Sequence, residues 1–282
     1  MTQGFVTPGG AAPACVTPGG VTPGGVTQIV AANIFVERGH HVVLDEVSLR
    51  AQSGEFVAVI GPNGAGKSTL LSVLAGLLRP NSGSVTLDGK SIGSLSAFRL
   101  AQRRAYLPQN PRCEWPIAVE RLVALGLTPR LPAFGGLPAS FAASIDAALE
   151  ACDLLEHRHQ SVTTLSGGEL ARAMLARALV GNPDVLIVDE PIAGLDPRHA
   201  LDTARRLRDL AGGGKLVIAS IHDLTLAGRF ANRIYALRGG RVQGDGPTDS
   251  TLTPELIRSA FEVKACVSGS GSSLFVDYAE SH

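Results

Sequence analysis

Gly61–Ser68 reads GPNGAGKS, a glycine-rich run that ends in a lysine and a hydroxyl. Its glycines free the backbone to turn, so that successive N–H groups can point at phosphate oxygens. A helix opening directly behind such a run adds the partial positive charge of its N-terminus. Lys67 then reaches the β- and γ-phosphates of a nucleoside triphosphate, and the Ser68 hydroxyl can ligate Mg2+. The spacing therefore nominates Gly61, Pro62, Asn63, Gly64, Ala65, Gly66, Lys67, Ser68 and Thr69 as a phosphate cradle.

Two further groups suit the same chemistry. Asp189 and Glu190 follow the aliphatic run Val185–Val188. Acids at the carboxyl end of a buried strand lie where ligands bind in open α/β sheets. Asp189 suits the Mg2+ shell, and Glu190 can orient and deprotonate an attacking water. Taken alone, an Asp-Glu pair after a strand also reads as a solvated turn; its place downstream of the cradle favours the chemical role. Leu165–Glu169 reads LSGGE, a small, donor-rich turn able to open a helix through Ala173–Leu179. Ser166, Gly167, Gly168 and Glu169 can bind an anion there by the same physics, or Ser166 can simply cap the helix.

To meet, these groups need particular strands and helices beneath them. Ile29–Val36 and Val42–Leu49 alternate like antiparallel strands, while Phe56–Ile60 is apolar throughout, like a strand buried on both faces. Ser68–Leu78 is helix-like, and Ser84–Leu87 with Asp88–Gly89 predicts a hairpin. Residues 94–104 and 117–155 carry helical periodicity, broken by a Pro/Gly loop at Thr128–Pro138. Strand-like Val185–Val188 and Leu216–Ser220 each follow a helical segment, which predicts parallel pairing in an α/β sheet.

Composition agrees. The 282 residues are 45% hydrophobic and 18% charged, enough to bury a sizeable core. Lys and Arg total 25, as do Asp and Glu, so the chain lacks the positive field of a general nucleic-acid binder, and no nucleic-acid partner is expected. Cys15, Cys113, Cys152 and Cys266 form no CxxC pair, which argues against a zinc ribbon or a disulfide framework and fits a reducing compartment. No apolar run approaches the ~20 residues that span a bilayer, and no secretory signal is visible. His157 and His159, like His40-His41, lack an acid or cysteine at ligand spacing and read as ordinary histidines.

The ordered set of cradle, LSGGE and Asp-Glu resembles the nucleotide-binding domain of an ABC ATPase. Gln109, after Tyr106-Leu107-Pro108, resembles the Q-loop glutamine, Gly194-Leu195-Asp196 the D-loop, and His222 the switch histidine. The resemblance spans about Ile29–Val263. It implies a P-loop NTPase fold of the ABC type: α/β, a mixed-sheet core lobe with an inserted helical lobe at about 111–165. It also implies ATP and Mg2+ as ligands and a head-to-tail homodimer of ATPase subunits. In that dimer ATP contacts Gly61–Thr69 of one copy and Ser166–Glu169 of the other, with Asp196 in the nucleotide-binding set. The implied catalytic residues are Glu190, His222, Gln109 and Lys67, and the implied Mg2+ ligands are Ser68, Gln109 and Asp189. His222 would contact the γ-phosphate, and Gln109 would sense Mg2+ and the water. Two departures stand out. Leu170 and Ala171 replace the two glutamines that usually follow the motif, and Arg38 occupies the register of the adenine-stacking aromatic.

One cradle, one LSGGE and no membrane span resemble the detached ATPase subunit of a bacterial importer. Leu100–Asn110, Val119–Gly126 and His222–Ala227 look like the subfamily serving iron–siderophore, haem and cobalamin uptake. That resemblance implies two copies of a multi-span permease, a periplasmic or lipid-anchored solute-binding protein, and a peripheral position at the cytoplasmic face of the inner membrane. An importer of another small solute and a non-transport ATPase, such as a cluster-assembly one, are the alternatives. Arg99, Arg103, Arg104 and Arg112 surround Gln109 and read either as a solvated helix face or as contacts to the membrane partner. Trp115 belongs either to the helical-lobe core or to the groove for that partner. Residues 1–27, with VTPGG at 6–10, 16–20 and 21–25, are expected to form a disordered tail. The ATPase domain is expected over 28–263, and a C-terminal extension over 264–282.

Overall fold

The computed structural model describes residues 26–109, 111–131 and 136–279. In chain order the elements are β1 (Gln28–Arg38), β2 (His41–Gln52), β3 (Phe56–Ile60), α1 (Lys67–Leu74), β4 (Ser82–Leu87), β5 (Lys90–Ser91), α2 (Ala97–Arg103) and β6 (Arg104–Leu107). Then follow α3 (Val119–Ala124), α4 (Ala142–Ala151), α5 (Gly167–Leu179), β7 (Val185–Val188), α6 (Pro197–Gly212), β8 (Leu216–Ser220) and α7 (Leu224–Phe230). The chain continues with β9 (Arg233–Arg238), β10 (Arg241–Pro247), α8 (Thr248–Thr251), α9 (Pro254–Phe261), β11 (Lys264–Ser268) and β12 (Phe275–Ala279).

The central sheet has the order β10-β9-β3-β8-β7-β6. Its inner pairs are parallel, and only β10 joins antiparallel, at the edge. A second, antiparallel sheet has the order β2-β1-β4-β5. The apolar runs explain the layering. In β3, Val57 and Val59 face a core shared with α1 and the antiparallel sheet, through Leu70, Leu71, Ile34 and Leu44. Phe56, Ala58 and Ile60 face the opposite core, which runs through α6 and α7 into the helical lobe at Leu122, Leu149 and Met174. Side chains alternate along a strand, so a strand apolar at every position serves two cores at once. The carboxyl ends of β3, β7 and β8, and the turn after β6, consequently open on one edge.

The expected strands and their parallel pairing are present. The helical expectations shrink. α1 ends at Leu74 because Gly76 takes φ +67°. The 117–155 stretch divides into α3, a 3-10 turn at Leu125–Arg130, and α4. Thr27, expected in the tail, already docks: its amide donates to Ser53 Oγ at 3.1 Å and its carbonyl accepts from the Ser53 amide at 2.7 Å. The rest of the tail, 1–25, lies outside the described residues. Arg103 is neither a bare solvated charge nor free for a partner. It pairs with Asp88 on the antiparallel sheet and with Asp184 ahead of β7, tying the two sheets together. Trp115 is 67% exposed, so it is not a core residue of the helical lobe.

Candidate active site

The turn from β3 into α1 depends on glycine at two points. Gly61 has φ +150°, and a Cβ there would stand 2.2 Å from the Leu237 carbonyl oxygen. Gly66, the N-cap of α1, has φ +99°, and its Cβ would meet the Val43 oxygen at 2.7 Å and Leu44 Cδ2 at 2.8 Å. The loop is thus pressed between β9 and β2. Gly64, at φ +78°, faces open space. Gly61→Ala is therefore expected to lower the melting temperature more than Gly64→Ala. The expected cost is about 1–3 kcal/mol, or several degrees, because backbone rather than a flexible side chain must yield. Equal melting temperatures for the two variants would show that the Gly61 contact is relieved elsewhere.

Lys67 opens α1 and is buried. Its side chain turns back along the loop, and Nζ donates to the Gly61 oxygen at 2.8 Å and the Pro62 oxygen at 3.0 Å. Burial pushes its ammonium below the usual lysine range, while Glu190 and then Asp189 draw it back up. The cation of the loop and the acids after β7 therefore share one electrostatic neighbourhood. Ser68 is exposed beside it.

The acids are held by β8. Ser220 Oγ donates to Asp189 Oδ1 at 2.6 Å and accepts from the Glu190 amide at 2.8 Å. Asp189 is buried, and its amide donates to the Leu107 oxygen at the end of β6 at 2.9 Å. Glu190 takes φ +51°, a left-handed conformation that a non-glycine residue adopts only where its surroundings enforce it. Its carboxylate is gripped from both sides. Gln109 Nε2 donates to Oε2 at 2.6 Å, and His222 Nε2 lies 2.5 Å from Oε1. Gln109 leaves β6, Glu190 leaves β7 and His222 leaves β8, so three adjacent strand ends converge on one carboxylate. Ser68, Asp189 and Gln109 offer oxygen donors, the hard ligands that Mg2+ takes, beside a buried lysine and a loop built for anions.

His222 immediately precedes Asp223, the N-cap of α7. The β11–β12 hairpin lies along this helix. The Val276 amide donates to Thr225 Oγ1 at 3.1 Å, and Arg229 Nε donates to the Leu274 oxygen at 2.7 Å. Leu274 also packs so closely on Gly228 that a Cβ there would stand 2.4 Å from it. Burial, and then Asp223, raises the Tyr278 phenol above its usual range. A largely apolar cavity of about 500 Å3 lies between Glu190, His222, Leu195 and Phe275 of the hairpin.

Ser166–Glu169 stands apart. Ser166 caps α5 in a reciprocal box: its Oγ accepts from the Glu169 amide at 3.3 Å, and Glu169 Oε2 accepts from the Ser166 amide at 2.8 Å. That amide holds the Glu169 carboxyl below its usual range. Gly168 abuts His199, whose ring atoms would lie 2.9 Å from a Cβ. His199 in turn donates its amide to Asp196, the N-cap of α6, at 3.0 Å. The capping reading of Ser166 is thus realised, and Asp196 also serves as a cap. Among the described residues no hydrogen bond joins Gly61–Thr69 to Ser166–Glu169. Arg38 sits exposed on the β1–β2 turn, paired in register with His41. His157 lies 3.6 Å from Glu169, and His159 3.8 Å from Glu120.

Sequence reasoning passed over Ser220, which binds both acids. Its only signal is a lone hydroxyl closing an apolar strand, Leu216–Ser220, two residues before His222. It also passed over the hairpin on α7, whose contacts join residues about fifty apart and leave no local pattern.

A family model described as ABC transporter matches residues 44–193. The hemin import ATP-binding protein HmuV of Rhodopseudomonas palustris is 45% identical over 235 residues, covering 80% of this chain and 84% of that protein. The cobalamin import ATP-binding protein BtuD of Halobacterium salinarum is 38% identical over 226 residues, covering 80% of this chain and 56% of that protein. Among solved structures, an ATP-binding cassette in a dimeric post-hydrolysis state bound to ADP and Pi superposes with a TM-score of 0.68 at 26% identity, covering 78% of this chain and 98% of that one. Likeness of this depth over four fifths of the chain settles its kinship: it belongs to the ABC transporter family and is one of that family's ATPases.

Proposed function

We propose that this ATPase powers the uptake of haem or cobalamin. In this reading two copies pair head to tail, sit on two copies of a multi-span permease at the cytoplasmic face of the inner membrane, and receive cargo from a periplasmic or lipid-anchored binding protein. The cargo assignment is supported by the relatives named for hemin and cobalamin import. Pairing is supported by the dimeric cassette. Consistent with a peripheral seat, no helix among the described residues is long and apolar enough to cross a membrane.

The observation that carries the catalytic reading is the Glu190 carboxylate held between Gln109 and His222, with Lys67 close enough to sense it. Glu190 takes the proton of the attacking water, because it is the carboxylate that three strand ends aim into the site. Lys67 and the loop amides from Gly61 to Thr69 hold the phosphates. His222 contacts the γ-phosphate, and Gln109 orients the water. Ser68, Asp189 and Gln109 hold Mg2+, which when bound neutralises charge on the phosphate oxygens. Ser166–Glu169 and Asp196 of a second copy complete the site. Arg38, in the register of the adenine-stacking aromatic, offers a planar guanidinium that can stack on a base.

The test is co-purification of the permease with the chain, followed by reconstitution in vesicles with the binding protein. Haem or cobalamin should accumulate only with hydrolysable ATP. Transport of another solute would move the assignment to a different importer, and ATPase activity with no permease bound would favour a non-transport ATPase.

A further inference from the structure

His157 lies in the loop between α4 and α5, with its two ring nitrogens facing two different partners. Nδ1 is 2.8 Å from Gln160 Oε1. The Gln160 amide is itself oriented, because its Nε2 donates to Thr164 Oγ1 at 3.0 Å and to the Thr164 backbone oxygen at 3.4 Å. Its oxygen is therefore the end that meets the ring, and an amide oxygen only accepts, so Nδ1 carries the proton. In a neutral imidazole the other nitrogen is then a bare lone pair. That nitrogen, Nε2, stands 3.6 Å from Glu169 Oε1. A lone pair facing a carboxylate repels it, whereas the N–H of an imidazolium attracts it. Gln160 thus leaves the ring one way to hold Glu169, which is to carry both protons.

The carboxylate that His157 faces is the one that shapes the LSGGE turn. Its other oxygen, Oε2, accepts from the Ser166 amide at 2.8 Å, while Ser166 Oγ accepts from the Glu169 amide at 3.3 Å. Ring and capping box therefore act on opposite oxygens of one group. Arg172, farther along α5, is the second cation that draws on Glu169. The neighbours of His157 are committed elsewhere: Arg158 pairs with Glu120 of α3 and Asp146 of α4, and His159 lies 3.8 Å from Glu120. The His157 and Glu169 side chains are 27% and 25% exposed, open enough to exchange protons with water and covered enough for the pair to act at short range.

We infer that His157 is a positioning residue for hydrolysis: in its charged form it fixes the Glu169 carboxylate, and with it the Ser166–Glu169 turn that the partner copy's nucleotide meets. The inference rests on the composite-site reading above. Two effects set its direction. A turn held in one arrangement loses less freedom when it engages ATP. A cation beside Glu169 also offsets the repulsion between that carboxylate and the anionic phosphates. Imidazole gains its charge as pH falls from about 8 to 5, so the contribution is present at acid pH and lost as pH rises. For a pair this exposed the effect is about two- to five-fold in rate.

The experiment measures kcat/KM for ATP with the full chain and its variants from about pH 5.5 to about pH 8.5, each taken as a ratio to the parent so that titration of His222 cancels. His157→Gln should match the parent at the alkaline end and fall about two- to five-fold below it at the acid end. His157→Lys, charged throughout, should match the parent at acid pH and exceed it at alkaline pH. In a Glu169→Gln background, His157→Gln should add no further pH-dependent loss, because the pair is already broken. A ratio that stays constant with pH for His157→Gln, with no alkaline gain from lysine, would overturn the positioning role. The lysine variant decides alone if the glutamine variant melts below the parent chain. ATP-driven dimerisation of the Glu190→Gln chain, followed by light scattering over the same pH range, separates this inference from the reading beneath it. If that chain dimerises while the ratio stays flat, only the role of His157 is wrong. If it dimerises at no pH, the composite site itself fails and this inference falls with it.

Discussion

Glu190→Gln will bind ATP like the parent chain and hydrolyse it about 10²–10⁴-fold more slowly, the usual cost of losing a general base. The amide has the shape of the carboxylate but cannot take a proton from water. The structure gives reason to expect that its position survives. Its backbone amide still donates to Ser220, which holds the left-handed turn at φ +51°. The amide oxygen can still accept from Gln109 Nε2, and the new NH2 can donate to His222 once the imidazole carries its proton on Nδ1. Nucleotide affinity, set by Lys67 and the loop amides, should therefore stay within a few-fold. The variant should also accumulate as an ATP-bound dimer. Steady-state hydrolysis with equilibrium ATP binding checks both halves, and turnover at the parent rate would remove Glu190 from its role.

Ser166→Arg should silence hydrolysis from the other side of the proposed dimer. The capping box of α5 loses its hydroxyl, which costs about 0.5–2 kcal/mol, a modest loss for a domain with two well-filled cores. ATP affinity should largely persist, because the cradle belongs to the other lobe. The arginine fills the space that the partner copy's γ-phosphate needs, so activity should fall to background. Mixing this variant with Lys67→Ala creates dimers with one composite site carrying both lesions and one carrying neither. Some activity should return if a single intact site can turn over. Cross-linking is decisive where the two sites are strictly coupled. Cysteines at Ser166 and in the Gly61–Thr69 loop should join two chains when ATP is present and hydrolysis is blocked. Cross-links confined to single chains would sink the composite site.

Local spacing carried most of the core lobe. Phe56–Ile60, the glycine-rich turn and the helix behind it are contiguous, and their order alone constrains the geometry, as does Val185–Val188 ending in two acids. The expectations that shifted depend on distant partners. Arg103 looks like one of a basic cluster until Asp88 and Asp184 arrive from other parts of the chain. α1 stops early because Gly76 takes a left-handed φ of +67°, and its missing Cβ leaves room for Leu100 and Ile92, which come from farther along the sequence. Trp115 carries no periodicity that distinguishes a core position from an exposed one. The convergence of Gln109, Glu190 and His222 follows from the strand order β8-β7-β6, which no single segment encodes. Ser220 was hidden for the same reason.

The hairpin that runs beside α7 has a mechanical meaning. Its attachments are spread from Thr225 to Arg229, along nearly the whole helix. Tension applied to β12 is therefore delivered to α7 before it loads the sheet, and α7 begins two residues after His222. Strain on that strand reaches the short helix whose N-cap, Asp223, directly follows His222, so the hairpin and the imidazole hang on one element.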